Sequence, residues 1–155
     1  MYNKRIAVLI AAVALLAILS INNTFAQEAT ALKGILIGNG WNTVTKELDT
    51  VYTDQSTIEL GIENSKKVQL WTVIENGQGL EITWVIEYSN GMREEPLVQT
   101  IRYNRFRTYL EKTFRRKLLD QNTKQYVDIT GACKIMLVDK QNQNRVLAEK
   151  ALIIK

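Results

Sequence analysis

Histidine is absent from this chain of 155 residues, and cysteine and proline occur once each. Without histidine, the commonest proton shuttle near neutral pH and the commonest metal ligand are both missing. A Ser-His or Cys-His nucleophile is therefore impossible, and zinc, haem and copper sites of the usual kinds have no ligands to be built from. Cys133 has no partner for an intramolecular disulfide, so packing alone must stabilise the fold. It lies in the apolar run Ala132–Val138 and is expected to be buried. No metal and no cofactor are expected. Carboxylate-only calcium or magnesium sites stay open in principle, but the nearest group, Asp49, Asp54 and Glu59, lacks the tight spacing of a calcium loop.

The N-terminus is what the chain has in place of catalytic side chains. Lys4 and Arg5 precede Ile6–Ile21, sixteen residues that are all apolar but for Ser20, and Asn22, Asn23, Thr24, Phe25 and Ala26 lead into Gln27. A basic start, an apolar centre and a small residue at the cut are the parts of a secretory signal, which places residues 1–26 as a signal peptide cleaved after Ala26. The apolar run also approaches the roughly 17–25 residues that span a bilayer, so an uncleaved segment would tether the same domain. The expected location is periplasmic or secreted, with membrane attachment only through that segment. Residues 27–155 form one domain of ordinary size.

Most of that domain alternates with period two, as strands with one buried face do. In Leu80–Tyr88, Leu80, Ile82, Trp84, Ile86 and Tyr88 share one side, which marks the core face. Val68–Glu75 is apolar throughout and reads as a central strand. Thr57–Ile62 places Ile58, Leu60 and Ile62 together, and Leu32–Ile37 reads as a first strand before a loop at Gly38, Asn39 and Gly40. Leu97–Tyr103 and Arg105–Leu110 are extended, and Lys134–Asp139 pairs with Arg145–Ile154. Asn76-Gly77-Gln78-Gly79 and Ser89-Asn90-Gly91 both fit hairpins, because Asn and Gly tolerate positive φ. In Glu111–Gln121 a helix competes with a strand followed by a basic loop. Short strands at intervals of about ten residues predict an all-β, immunoglobulin-like antiparallel β-sandwich.

The second half carries a recurring set of residues: Trp84, then Glu87-Tyr88-Ser89-Asn90-Gly91, then Arg105-Phe106-Arg107-Thr108-Tyr109 with Lys112, then Gly131, and finally Arg145-Val146-Leu147-Ala148-Glu149-Lys150. Over residues 68–155 this resembles a bacterial family of uncharacterised envelope domains, family twenty-nine fourteen of the domains of unknown function. The chain departs from it at Cys133, where the family has a tryptophan, and in the longer stretch Thr113–Thr130. The resemblance implies an extracytoplasmic β domain of a bacterium. It carries over no catalytic residue.

Charge offers the one candidate surface. The segment 102–117 holds seven basic residues, Arg102, Arg105, Arg107, Lys112, Arg115, Arg116 and Lys117, against Glu111 alone. On a strand, Arg105, Arg107 and Tyr109 share an exposed face opposite Phe106, Thr108 and Leu110. Arginine forks suit carboxylate or phosphate, and tyrosine offers a stacking face. The binding candidates are therefore Arg105, Arg107, Tyr109, Lys112, Arg115, Arg116 and Lys117, with the last three the least explained by pairing across strands. The plainer reading is that these cations pair with Glu87, Glu94 or Glu95 and guard a sheet edge.

Three functions follow from these features. The first is a non-catalytic binding module for an acidic envelope protein or an anionic polymer, with no nucleic acid expected outside the cytosol. The second is a structural subunit of an envelope complex with no ligand of its own. The third is a carboxylate-based hydrolase using Glu81 and Glu87. Trp41 and Trp71 are expected in the core rather than on a sugar platform.

Overall fold

The structure, a computed structural model, describes residues 29–31 and 34–155, so the expected signal segment and the start of the expected first strand lie outside the described residues. The chain is an antiparallel β-sandwich. Its strands are β1 (Thr30–Ala31), β2 (Leu36–Trp41), β3 (Leu48–Val51), β4 (Thr57–Ile58), β5 (Ser65–Glu75), β6 (Glu81–Tyr88), β7 (Arg93–Glu94), β8 (Val98–Thr100), β9 (Arg105–Arg115), β10 (Lys117–Leu119), β11 (Tyr126–Asp128), β12 (Gly131–Asp139) and β13 (Arg145–Ile154). One sheet runs β1-β5-β2-β3, with β9 on the other side of β5. The second runs β4-β13-β12-β6 and ends in β7 and β8, both paired to β6. A small hairpin, β10–β11, stands apart, and the β4–β13 contact is the one parallel pair among the described strands.

The core lies between the sheets. Ile82, Trp84, Ile86 and Tyr88 of β6 face Val68, Leu70 and Ile74 of β5, with Ile135 and Leu137 of β12 beside them. Cys133 is buried in the same layer. β5 is covered on both faces, which explains its continuous apolar run: Trp71 and Val73 are buried on the outer side, away from the core. Val85, the apolar exception in β6, is buried with Met136 and Val138 on the outer face of the second sheet. The β12–β13 pair is as expected from alternation, with one bulge between Leu137 and Val138.

Several local expectations change. Asn76–Gly79 does form a tight turn, with Asn76 at φ 56° and Gly79 at φ 89°. It joins β5 of one sheet to β6 of the other, so it is a crossover and not a hairpin. Ser89–Gly91 is a hairpin turn, closed by the Gly91 N–H on the Tyr88 carbonyl at 2.9 Å. The glycines expected to form a loop after Ile37 lie inside β2 instead. A Cβ at Gly38 would stand 2.0 Å from the Thr50 carbonyl oxygen, so glycine there permits close approach of β3. β4 stops at Ile58, and Ile62 is exposed, because the turn closed by Asn64 N–H on Gly61 O diverts the chain. No helix forms in 111–121: β9 runs on to Arg115 and β10 follows, with Leu118 packed on the core.

Candidate binding surface on the basic strand

Alternation along β9 divides the predicted residues. Arg105, Arg107, Tyr109 and Arg115 point outward, while Phe106, Thr108, Leu110, Lys112 and Phe114 point toward the second sheet. Lys112 is thus separated from the others. Its ammonium bonds the Glu94 carboxylate and lies 5.8 Å from the centre of the Phe114 ring. Glu94 also accepts the Tyr88 hydroxyl at 2.6 Å. Burial, reinforced by Glu94, holds the Tyr88 phenol well above its ordinary pKa. Burial likewise pushes the Cys133 thiol up to about 12, so it stays a neutral thiol near pH 7. Lys112 ties the two sheets together.

The outer face of β9 is occupied in part. The Tyr109 ring stacks on Trp41, centroids 4.3 Å apart and planes 22° apart, so one stacking face is already taken. The β2–β3 hairpin reaches across this face, and the Trp71 indole N–H donates to the Lys46 carbonyl at 3.0 Å. Trp71 is buried as expected, whereas Trp41 is only half-buried. Arg105 lies 3.8 Å from Glu75, an exposed pair of small energetic weight. Arg107 has no carboxylate partner among the described residues.

At the far end of β9 the chain turns sharply. The Arg116 N–H donates to Asn64 O at 2.9 Å, and the Ile129 N–H donates to Arg116 O at 3.0 Å. These bonds hold Arg115, Arg116 and Lys117 beside Glu63, Asn64 and Ser65, around an open recess of about 460 Å³. Arg116 donates to Asp128 at 3.3 Å. Asp128 is held at a pKa of about 2, chiefly by the Thr130 hydroxyl and N–H and then by Arg116, so it is an anion at any ordinary pH. Arg115 and Lys117 have no carboxylate partner among the described residues. A neighbouring recess shares Asn64 and Arg116 and adds Thr130 and Lys155.

Arg107 and Arg115 are eight residues apart on one strand, or about 27 Å at strand rise, so the basic segment makes two surfaces rather than one patch. The acids expected to neutralise it are mostly engaged elsewhere. Glu87 and Glu95 pair with Arg93, Glu95 also pairs with Lys140, and only Glu94 meets the segment, through Lys112. Asn64, Ser65 and Asp128 were not among the residues that sequence suggested. Asn64, at φ 51°, has a visible turn signal in Glu63-Asn64-Ser65, but its contact with Arg116 joins residues far apart in sequence.

The two carboxylates considered for hydrolysis, Glu81 and Glu87, are not brought together. Glu81 and Glu87 lie six residues apart on β6, about 20 Å at strand rise, against the roughly 5–9.5 Å that glycosidase carboxylates need. Asp54 accepts the Ser56 N–H and hydroxyl in a turn. No group of three potential ligands gathers around a metal position among the described residues. Among those residues no helix is long and apolar enough to cross a membrane.

No known family model matches the chain, and no curated protein matches it in sequence. Among solved structures, a β-glucosidase from Kluyveromyces marxianus superposes with a TM-score of 0.41 at 7% identity, over 63% of this chain and 14% of that one. The chain therefore spans a small part of that enzyme's length, and a likeness at this level says nothing of activity.

Proposed function

We propose that this chain is an exported, non-catalytic binding module of the bacterial envelope that holds an anionic partner, an acidic protein or an anionic polymer, at the end of β9. The observation that carries this reading is the convergence of Arg115, Arg116 and Lys117 on one open recess, where Arg115 and Lys117 have no carboxylate partner among the described residues. The Arg115 guanidinium fork and the Lys117 ammonium, neither bonded to a carboxylate among the described residues, suit phosphate or carboxylate oxygens. Asn64 and Ser65 on the recess wall add neutral hydrogen-bonding groups, and Glu63 is the one acidic residue of the lining against three basic ones. The envelope setting rests on the signal-like residues 1–26 and on the resemblance of residues 68–155 to an envelope domain family.

The test is a titration of the chain from residue 27 onward with fluorescent polyphosphate and, separately, poly-glutamate. Affinity is expected to fall about tenfold or more as salt rises from 50 to 200 mM, since the contacts are exposed charges. Arg115→Glu with Arg116→Glu is expected to abolish it. Equal binding by the charge-reversed variant would overturn the reading.

A further inference from the structure

The main chain of β9 has one side that no other described strand pairs. Ile37 directs both its main-chain groups away from β5: its N–H and carbonyl bond the Gln55 side-chain amide, and its carbonyl also accepts the Tyr52 N–H. Leu36 and Gly38 therefore bond across to Trp71 and Gln69 of β5. Alternation then directs the N–H and carbonyl groups of Leu70 and Thr72 toward β9, where they meet Leu110 and Thr108. The Arg116 N–H on Asn64 O continues the same phase. By elimination, the N–H and carbonyl groups of Arg105, Arg107, Tyr109, Glu111 and Thr113 point away from β5. No main-chain or side-chain group among the described residues bonds them.

β9 is thus a sheet edge eleven residues long, with no register shift along its pairing to β5 and no proline. Four of the other edge strands are short, with four residues in β3, two in β4, two in β7 and three in β8, while β13 is paired on its outer side only at Ile153 and Ile154 and carries a bulge and both signs of charge. Short, interrupted edges are how proteins prevent stray pairing, and β9 lacks that protection. The outward side chains next to the open groups set the charge of anything that pairs there. They are Arg105, Arg107 and Arg115, against Glu111, which Lys67 already neutralises at 2.8 Å. A second copy of β9 would bring three arginines toward three. An acidic strand would bring carboxylates to them.

We propose that the open edge of β9 takes up an extended acidic segment of a partner protein as an added strand. Main-chain hydrogen bonds to the five open residues hold the segment, and Arg105 and Arg107 select for carboxylates at alternate positions. This site stands on its own geometry, whether or not the recess binds a polyanion.

The probe is an acetylated eleven-residue peptide alternating Glu and Thr, with a control of the same length and charge in which a central Thr is replaced by proline. Amide hydrogen exchange is read residue by residue on the chain from residue 27 onward. In the free chain the amides of Thr108, Leu110 and Lys112 are expected to exchange slowly, and those of Arg107, Tyr109 and Glu111 fast. Saturating peptide should slow the second set at least tenfold, and the control should not. Thr113→Pro removes one open N–H and keeps every arginine, so it should weaken the peptide severalfold while leaving polyphosphate binding at the recess unchanged. Arg107→Glu should weaken the peptide about tenfold and supplies the test if the proline variant does not fold. Equal binding of peptide and control, or slow exchange of Arg107, Tyr109 and Glu111 in the free monomer, would overturn the proposal. Slow exchange that grows with protein concentration alone would overturn it too, by assigning the edge to a second copy.

Discussion

Two edges run along the same flank of this sandwich, and they are built in opposite ways. The edge of the first sheet is β9, long, unbroken and basic; that of the second is β7 and β8, two and three residues long, with Glu94 in β7 and with Glu95 and Pro96 in the link between them. Two contacts fasten them, Lys112 to Glu94 and the Thr108 hydroxyl to Gln99 Oε1 at 2.7 Å, and behind them the Trp84 indole N–H of β6 donates to Thr108 Oγ1 at 3.4 Å. All use inward-facing residues of β9. The outward residues of the same strand carry the unpaired charge and the open main chain. Adjacent positions on one strand thus serve cohesion and, in the function proposed above, recognition in alternation, because successive side chains point to opposite faces.

The largest test of this division is a proline scan. Thr108→Pro removes an N–H bonded to β5 in mid-strand, along with the hydroxyl that joins Trp84 and Gln99, and is expected to cost about 3 kcal/mol or more. Thr113→Pro, on the open side, should change stability by less than about 1 kcal/mol. Urea denaturation of both reads the difference, and equal losses would refute the assigned phase of β9. A smaller effect separates the two kinds of cation. Lys112→Met leaves Glu94 with only the Tyr88 hydroxyl and should cost about 1–3 kcal/mol. Arg107→Met should stay within about 0.5 kcal/mol.

The smallest effect is in acid. Asp128 has its pKa lowered from 3.8 to about 2 in the fold, so its contribution is complete above about pH 4 and is lost as pH falls toward 2. Asp128→Asn should therefore flatten the fall of stability between pH 4 and 2 while leaving the loss at Lys112→Met unchanged. A wild-type slope in that window would show that the turn at the end of β9 does not depend on this carboxylate.

Much of this division was legible in the residues. Alternation placed Trp84 and its neighbours in the core, and the face shared by Arg105, Arg107 and Tyr109 was read correctly. The same alternation puts Lys112 on the Phe106 face, whereas charge alone groups it with Arg115 and Arg116. Asn76–Gly79 shows the opposite limit. Its residues specify a tight turn, but a turn does not specify which strands pair, and here the chain crosses between sheets with the Gly79 N–H on Ile101 O at 2.9 Å. Gly38 and Gly40 read as loop residues because the cause of their place in β2, the approach of β3, is not local.

The order of the chain by itself determined which residues of the long strands face inward, that Asn76–Gly79 and Ser89–Gly91 turn, and that neither histidine chemistry nor a disulfide within the chain is available, since these depend on side-chain identity and a period of two. Only the tertiary structure decided which strands became edges, which cations met a carboxylate, and that Arg115, Arg116 and Lys117 surround a recess with Asn64. Those outcomes depend on pairing between residues far apart in the chain. A carboxylate can neutralise an arginine only where the register of two sheets brings it within a few ångströms.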